Sequence, residues 1–426
     1  VPDRHAAPAR PDGPRHARTL RSRTVLRGLA LTVVAVLAFG ATSAAAIYNK
    51  IYAGIDTVDV SALVTPIAEE ENDDPTDPDA GNDLNILVMG SDQRDGENAA
   101  LGGEVAGMRS DTTIVMHISA DRTRVELVSI PRDSMVDIPS CIVSPDGATT
   151  GAYFGQFNDA FAVGADQGGS IEYAAACTIQ TVQNNTGVSI DEFVVVDFAG
   201  FVEMINALGG VQMCIAQDIY SEKADNLTLS AGTHTLDGYT ALQYARARTG
   251  TGLGDGSDTN RLGRQQQLIA SIMQSVLSKN MLTDLGELMT FAQAATSTLT
   301  LSPDLASLDT MAGIAYSLRG VRTENMTFMT IPFGAYPQNE NRVIWTAEAD
   351  TIWANMAADQ PIVAQPEPEP AATTPPEGGT GTETDPGTDT GAGTGTEVET
   401  PAAPSPSATK TPGKDAFSAA DISTSC

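Results

Sequence analysis

Positive charge is scarce in this chain: 24 Lys and Arg against 54 Asp and Glu leave a formal net charge of −30 over 426 residues. A nucleic-acid surface needs clustered cations to displace counterions from phosphates, so this balance argues against a nucleic-acid partner. Histidine is scarcer still. Of the four, His5 and His16 lie in the N-terminal head, His117 in a strand-like run and His234 in a polar turn, which leaves a histidine-based triad without support. The four cysteines, Cys141, Cys177, Cys214 and Cys426, stand 36, 37 and 212 residues apart and match no zinc pattern. There is no G-x-S-x-G elbow and no G-x-x-x-x-G-K-[ST] phosphate loop. The glycines of GTGLGDG (Gly250, Gly252, Gly254, Gly256) have the wrong spacing, follow no strand and read as a loop.

Long apolar runs are also missing, with one exception. Gly28 to Ile47 carries no charge, and at about 1.5 Å per residue it spans roughly one bilayer core. Arg4, Arg10, Arg15, Arg18, Arg21, Arg23 and Arg27 precede it, against Asp3 and Asp12. The positive-inside bias therefore predicts a single-pass anchor, with a cytoplasmic head at 1–27, a transmembrane helix at 28–47 and everything later outside the cell membrane. A signal peptide cleaved near Ala44, Ala45 and Ala46 is the alternative, but the run is long for a signal core. Outside the cytoplasm cysteines meet oxidising conditions, and Cys141–Cys177 is the candidate disulfide. Cys426, in a polar tail, reads as a poor staple.

Composition divides the remainder. Residues 48–80, with Glu69 to Glu71, Asp73, Asp74, Asp77 and Asp79, read as an acidic linker; residues 360–426, rich in Pro, Gly, Thr and Glu, read as a disordered tail with no core. Between them, residues 81–359 predict an α/β domain, a central mixed sheet flanked by helices. Leu84–Met89, Thr113–Ile118, Val125–Ile130, Phe193–Val196, Val211–Ile215 and Thr327–Ile331 read as strands. Phe198–Leu208 reads as a helix stopped by Gly209-Gly210. Leu268, Ile269, Ile272, Met273, Val276 and Leu277 recur at helical spacing, with Asp258 or Thr259 available as N-cap.

The chemistry must then come from Asp/Arg motifs at element ends. Gly90-Ser91-Asp92-Gln93-Arg94 follows the first strand, Arg109-Ser110-Asp111-Thr112 leads into the second, and Ile130-Pro131-Arg132-Asp133 ends the third. Ligands of open α/β sheets gather beyond strand carboxyl ends, so Asp92 and Arg132 are placed to converge. Arg246 and Arg248 are two apart, a spacing that in a helix splays them by roughly 200°, so sharing a ligand requires locally extended backbone. Arg261 and Arg264, at a helix start, oppose its dipole unless an anion is near. Singly, each motif reads as a turn, a cap or a solvated charge. Together, guanidinium forks for phosphate oxygens and carboxylates for Mg²⁺ suit phosphoryl transfer by positioning and electrostatics.

NILVMGSDQR, MRSDTTIVMHIS, VELVSIPRDSMVDIP, LDGYTALQYARAR and DTNRLGRQQQ resemble, in order and spacing, the motifs of the LytR-CpsA-Psr family. That resemblance implies a transferase moving a glycopolymer from a polyprenyl-pyrophosphate carrier to a peptidoglycan hydroxyl. By motif match, Asp92 and Asp111 would hold Mg²⁺ (or Mn²⁺), and one of them would activate the acceptor. Arg109, Arg132, Arg246, Arg248, Arg261 and Arg264 would bind the pyrophosphate, supported by Gln265 or Gln266, with Asp92, Asp111 and Arg132 the catalytic set. The family's lipid pocket makes the helix of Leu268, Ile272 and Val276 a candidate wall. The chain departs from the pattern at Gln156-Phe157-Asn158-Asp159, where relatives begin Lys-Ile-Asn, and at Thr233, near which relatives place the partner expected for Cys214. A lipid-pyrophosphate phosphatase and a non-catalytic binding module are the competing readings.

Overall fold

The computed structural model describes residues 25–32, 34–35, 38–39, 42, 56–67, 81–93, 96–102, 107–278, 299–363, 410–422 and 426. The chain divides into units Val1–Asp56 and Thr57–Cys426. In the first, the described residues between Val25 and Thr42 are helical. Most of the expected tail and linker, and several positions of the expected anchor, lie outside the described residues. Among those described, no helix is long and apolar enough to cross a membrane.

The second unit is an α/β fold. Its main-sheet strands are β1 (Leu84–Ser91), β2 (Ser110–Ile118), β3 (Val125–Ile130), β4 (Glu192–Val196), β5 (Leu299–Leu301), β6 (Met326–Thr330) and β7 (Phe417–Ser418). They lie in the order β5-β4-β1-β2-β3-β6-β7. Strand β1 runs parallel to β4 and antiparallel to β2; β3 runs antiparallel to β2 and parallel to β6. The carboxyl ends of β1, β3, β4 and β6 therefore share one edge with the start of β2. All six residues of β3 are buried, as its unbroken apolar run requires of a strand covered on both faces.

Helices α1 (Gly96–Gly102), α2 (Phe157–Gly168), α3 (Ile171–Thr186), α4 (Phe198–Ala207), α5 (Gly238–Arg246), α6 (Asp258–Ser278), α7 (Leu308–Ser317) and α8 (Ala347–Ala357) complete the frame. One core joins Leu87, Val115 and Val128 of the sheet to Phe157, Phe161, Val182 and Trp353 of the helices. Helices α2 and α3 approach so closely at Gly164 that a Cβ there would strike the Tyr173 carbonyl. Cys141 and Cys177, both buried, are disulfide-bonded and tie the 141 loop to α3. Helix α4 is capped by Asp197, whose Oδ1 accepts from the Gly200 amide at 2.7 Å. A second core gathers Ile205, Met213, Leu227 and Tyr244 around Leu268, with Ile272 and Val276 packed on it, so this face of α6 serves as core. At the edge opposite the strand carboxyl ends, His117 lies between Asn85 Oδ1 (2.8 Å) and Asp359 Oδ1 (3.1 Å), and Arg124 Nη2 donates to the same Asp359 oxygen (2.7 Å).

Several boundaries move. Within the expected linker, Val58, Val60 and Val64 pack on the main core, and the Val58 amide donates to the Leu301 carbonyl at 3.0 Å. Ile362 is buried, past the expected domain end at 359, and its amide donates to Glu126 at 3.0 Å. The largest correction concerns the tail. Residues 410–422 lie on the domain: β7 pairs with β6, and Phe417 stacks on Phe328 with ring centroids 5.3 Å apart. The Gly413 amide donates to Gln266 Oε1 at 3.0 Å, where neighbouring Pro412 meets Gly263 of α6 so closely that no Cβ would fit. Cys426, read as a poor staple, is bonded to Cys214. Thr233 lies opposite Cys214 in register, and its Oγ1 accepts from the Cys426 amide at 2.9 Å. A short Phe-containing segment thus packs as a clasp on α6 and β6, and Cys426 ties the chain covalently to Cys214.

Candidate functional site

The edge where β1, β3, β4 and β6 end carries the site. Gly90 pairs with Thr112 and Ser91 with Ser110, so Asp111 is the extra residue of a β-bulge. Asp92, one step beyond β1, grips Arg109 twice: its amide donates to the Arg109 carbonyl (2.9 Å), and its Oδ1 accepts from the Arg109 amide (2.7 Å). These bonds hold together the two mouths of the loop between β1 and β2.

Three arginines converge on Asp111. Arg132 Nη1 donates to Asp111 Oδ1 at 2.6 Å, Arg248 Nη2 stands 3.8 Å from Oδ2, and Arg261 Nη2 donates to the Asp111 carbonyl at 3.3 Å. Helix α5 ends at Arg246, and Ala247 is extended (φ −58°, ψ 126°), which provides the local break that the two-residue spacing required. The arginines nevertheless part. Arg246 Nη1 donates to the Leu101 carbonyl at 3.0 Å, and its guanidinium lies 4.2 Å from the Phe198 ring centroid.

Asp258 was expected at most as a helix cap, and it has a larger part. Helix α6 begins at Asp258 itself, and the residue before it, Ser257, accepts from the Asn260 amide at 3.5 Å. Asp258 Oδ1 pairs with Arg261 Nη2 at 2.6 Å, which supplies the anion that two arginines at a helix start demand. Its Oδ2 is buried without a hydrogen-bond partner, as is Arg261 Nε. Burial pushes the Asp258 carboxyl up to about 6; Arg132 and Arg248 oppose the shift, while Asp133 and Asp111 add to it. Burial also works against charge on Arg132, but Asp111, then Asp133 and Asp258, hold that guanidinium more firmly protonated than usual.

Asp133 anchors the neighbouring corner. It accepts from Gln156 Nε2 at 2.7 Å and lies 3.5 Å from Arg342 Nη1. Where relatives were expected to place a lysine, this chain has the Gln156 amide and draws its cation from Arg342, a residue too distant in sequence to be assigned from the motifs. Asp159 nearby is raised by burial, although Arg109 and Arg342 offset part of the shift.

Two expected ligands face protein instead. Arg264 is buried, with its Nη donors on the carbonyls of Leu253 (2.9 Å) and Ala247, and burial lowers its pKa. It fixes the chain between α5 and α6. Gln266 donates to Ser129 Oγ and Thr330 Oγ1, both at 3.0 Å, so it belongs to the sheet and the clasp. Gln265 Nε2 donates to the Ala245 carbonyl at 3.2 Å, and its Oε1 is buried without a partner.

For a metal, Asp92 and Asp111 sit on one edge of the sheet, and Asp111 lies near Asp258, whose Oδ2 has no hydrogen-bond partner. Among the described residues no group of three His, Cys, Asp or Glu could hold an ion unaided. That donor set fits a hard cation that takes one or two carboxylates and fills its remaining positions with phosphate oxygens and water, as Mg²⁺ does.

Fold and site together define an α/β protein with a cluster of arginines and aspartates at the carboxyl edge of its sheet. The LytR_cpsA_psr family model matches residues 49–358, and the chain belongs to that family. It is 31% identical over 283 residues to a protein of Corynebacterium glutamicum named "Probable cell wall biosynthesis protein LcpB", covering 64% of this chain and 60% of that one. It is 30% identical to TagU of Oceanobacillus iheyensis, a polyisoprenyl-teichoic acid–peptidoglycan teichoic acid transferase, covering 57% of this chain and 67% of TagU. A solved Streptococcus agalactiae protein shares the fold, with a TM-score of 0.52 and 17% identity over 66% of this chain and 90% of its own.

Proposed function

We propose that this protein transfers a glycopolymer phosphate from a polyprenyl-pyrophosphate carrier to a peptidoglycan hydroxyl outside the cell membrane. The observation that carries the reading is the convergence of Arg132, Arg248 and Arg261 on the bulged Asp111. Such a cluster in an acidic chain is an anion site, and its forked donors match pyrophosphate oxygens. The activity in the name of TagU supports the same chemistry.

In this reading Arg132, Arg248 and Arg261 take the pyrophosphate oxygens and stabilise the charge that grows on them as the bond to the departing lipid phosphate breaks. Asp111 and Asp258 hold those guanidinium groups in place beforehand, and Arg109, fixed through its backbone by Asp92 at the loop mouth, would add a further cation. Asp92 and Asp111 would hold Mg²⁺, which when bound neutralises phosphate charge. One of the same two carboxylates takes the proton of the attacking hydroxyl. The apolar run Gly28–Ile47 anchors the chain as a single membrane pass, with its basic head in the cytoplasm.

The test is to incubate the full chain in detergent with a lipid-pyrophosphate-linked glycan, peptidoglycan and Mg²⁺, and to identify products by mass spectrometry. A phosphodiester adduct on peptidoglycan is expected. Release of free phosphorylated glycan without an adduct would make the protein a phosphatase instead.

A further inference from the structure

Beside Arg248 the fold encloses a cleft of about 390 Å³ that the phosphate chemistry leaves unused. Its walls are α5, the end of α1 at Leu101 and Gly102, the turn Glu222–Ala224 and the segment leading to Thr249. Along α5, Tyr239, Gln243 and Arg246 stand at i, i+4 and i+7, one stripe of the helix, and all three line the cleft. From the facing turn come Lys223 and Asp225.

This wall is built from polar contacts. Tyr239 Oη donates to Asp225 Oδ2, Gln243 Nε2 donates to the Asp225 carbonyl at 3.3 Å, and Ser221 Oγ donates to the Thr249 carbonyl at 2.7 Å. Asp225 and Asn226 have φ of 52° and 58°, two consecutive non-glycine residues in the left-handed region. Such backbone persists only where its surroundings over-determine it, and here the α5 side chains hold it against the cleft.

The lining decides the ligand class. A tyrosine ring more than one-third exposed, a side-chain amide, a carboxylate and three cations offer a flat face and many hydrogen-bonding groups. That inventory suits a hydroxyl-rich ring better than a prenyl chain, and the volume lies within the range of roughly 300–1,000 Å³ typical of small-ligand pockets. Arg248 belongs to both cleft and anion site, so a phosphate held there presents its substituent to the cleft.

We propose that the cleft between α5 and the Glu222–Ala224 turn receives the sugar bonded to the pyrophosphate of the donor, with Tyr239, Gln243 and Lys223 as its specificity residues. The inference rests on the pyrophosphate reading above. An acceptor sugar of the glycan strand has the same chemistry, and the experiment separates the two sources.

Calorimetry on the full chain in detergent with Mg²⁺ would compare geranyl pyrophosphate with the same lipid carrying one N-acetylhexosamine. The glycosylated probe should bind about tenfold more tightly, the worth of one or two hydrogen bonds. Gln243→Ala and the exposed Lys223→Ala should each erase most of that difference and leave geranyl pyrophosphate affinity unchanged. Equal affinity of the two probes for wild type, or a difference that survives both substitutions, overturns the sugar assignment alone. Failure of both probes to bind, or binding indifferent to Arg132→Ala, overturns the pyrophosphate reading and this one with it. A peptidoglycan disaccharide that binds without pyrophosphate and is weakened by Gln243→Ala, while the glycosylated lipid is not, gives the cleft to the acceptor and overturns the donor assignment.

Discussion

Replacing Cys426 by serine should loosen the clasp while leaving the main core intact. The Cys214–Cys426 bond closes a sequence separation of 212 residues. In the chain-entropy account a loop of that length restricts the unfolded state by roughly 5 kcal/mol, an upper bound because engineered and native bridges commonly deliver about 2–4 kcal/mol. The non-covalent hold on the clasp is of the same order and below the stability of a whole domain: Phe417 is buried against Phe328, worth roughly 2–3 kcal/mol, with the Gly413–Gln266 hydrogen bond adding about 1 kcal/mol. Without the bridge, the clasp should therefore open locally before the domain unfolds. Urea unfolding of Cys426→Ser should show a lower midpoint, equivalent to about 2–4 kcal/mol. Native-state hydrogen exchange should show faster exchange at the Gly413 and Ser418 amides, with β1 and β2 losing no more than the global change. An unchanged midpoint together with unchanged exchange at Gly413 would refute the clasp, as would acceleration spread evenly over the sheet.

Arg132→Ala should lower affinity for geranyl pyrophosphate by about 10- to 100-fold, the loss of one or two charge-assisted hydrogen bonds, with little change in the urea midpoint; tight binding by this variant would remove Arg132 from the site. Asp258 has its carboxyl raised from 3.8 to about 6, so the folded state resists its ionisation. Stability should accordingly be greatest below about pH 4 as far as this group is concerned, and decline by about 3 kcal/mol as pH rises through 6. Asp258→Asn should remove that slope in thermal unfolding measured from pH 4 to 7, and an unchanged slope would mean the carboxylate is better compensated than its surroundings imply. Gly263→Ala puts a methyl where Pro412 passes, so it should speed exchange at Gly413 much as Cys426→Ser does, and fully retained protection would contradict the close approach. Chelation of divalent cations should abolish transfer and Mg²⁺ should restore it; undiminished turnover in EDTA would dispose of the carboxylate–metal proposal.

The sheet was legible because its physics is local. Buried strands such as VELVSI announce themselves as unbroken apolar runs, and Asp92, Asp111 and Arg132 each stand beside such a run, so their shared edge followed from strand direction. The break after Arg246 was legible only as a condition for Arg246 and Arg248 to share a ligand; the chain does break there, yet the two side chains part. What stayed hidden depends on partners far apart in sequence. Arg264 and Arg261 look alike in DTNRLGRQQQ, but one meets backbone carbonyls and the other meets Asp258 and the Asp111 carbonyl. Gln266 resembles a site residue until Gly413 arrives from more than a hundred positions away to occupy its oxygen. The clasp itself is a few apolar residues behind a long stretch of Pro, Gly and Thr, and composition averaged over that stretch conceals it.

The bulge at Asp111 has a consequence for how this site can change. A regular ladder would match every residue of β2 with one of β1, and the surplus residue is what lets an acid leave the sheet and meet three arginines. Deleting it would mend the ladder and keep the alternation of faces downstream only by slipping the flanking loop. The sheet would then be tidier, and the anion site would have lost its centre. On the proposed function, selection for a sturdier fold and selection for phosphate chemistry pull in opposite directions at this single position, and the irregularity that a designer would correct first is the one the proposed site is built on.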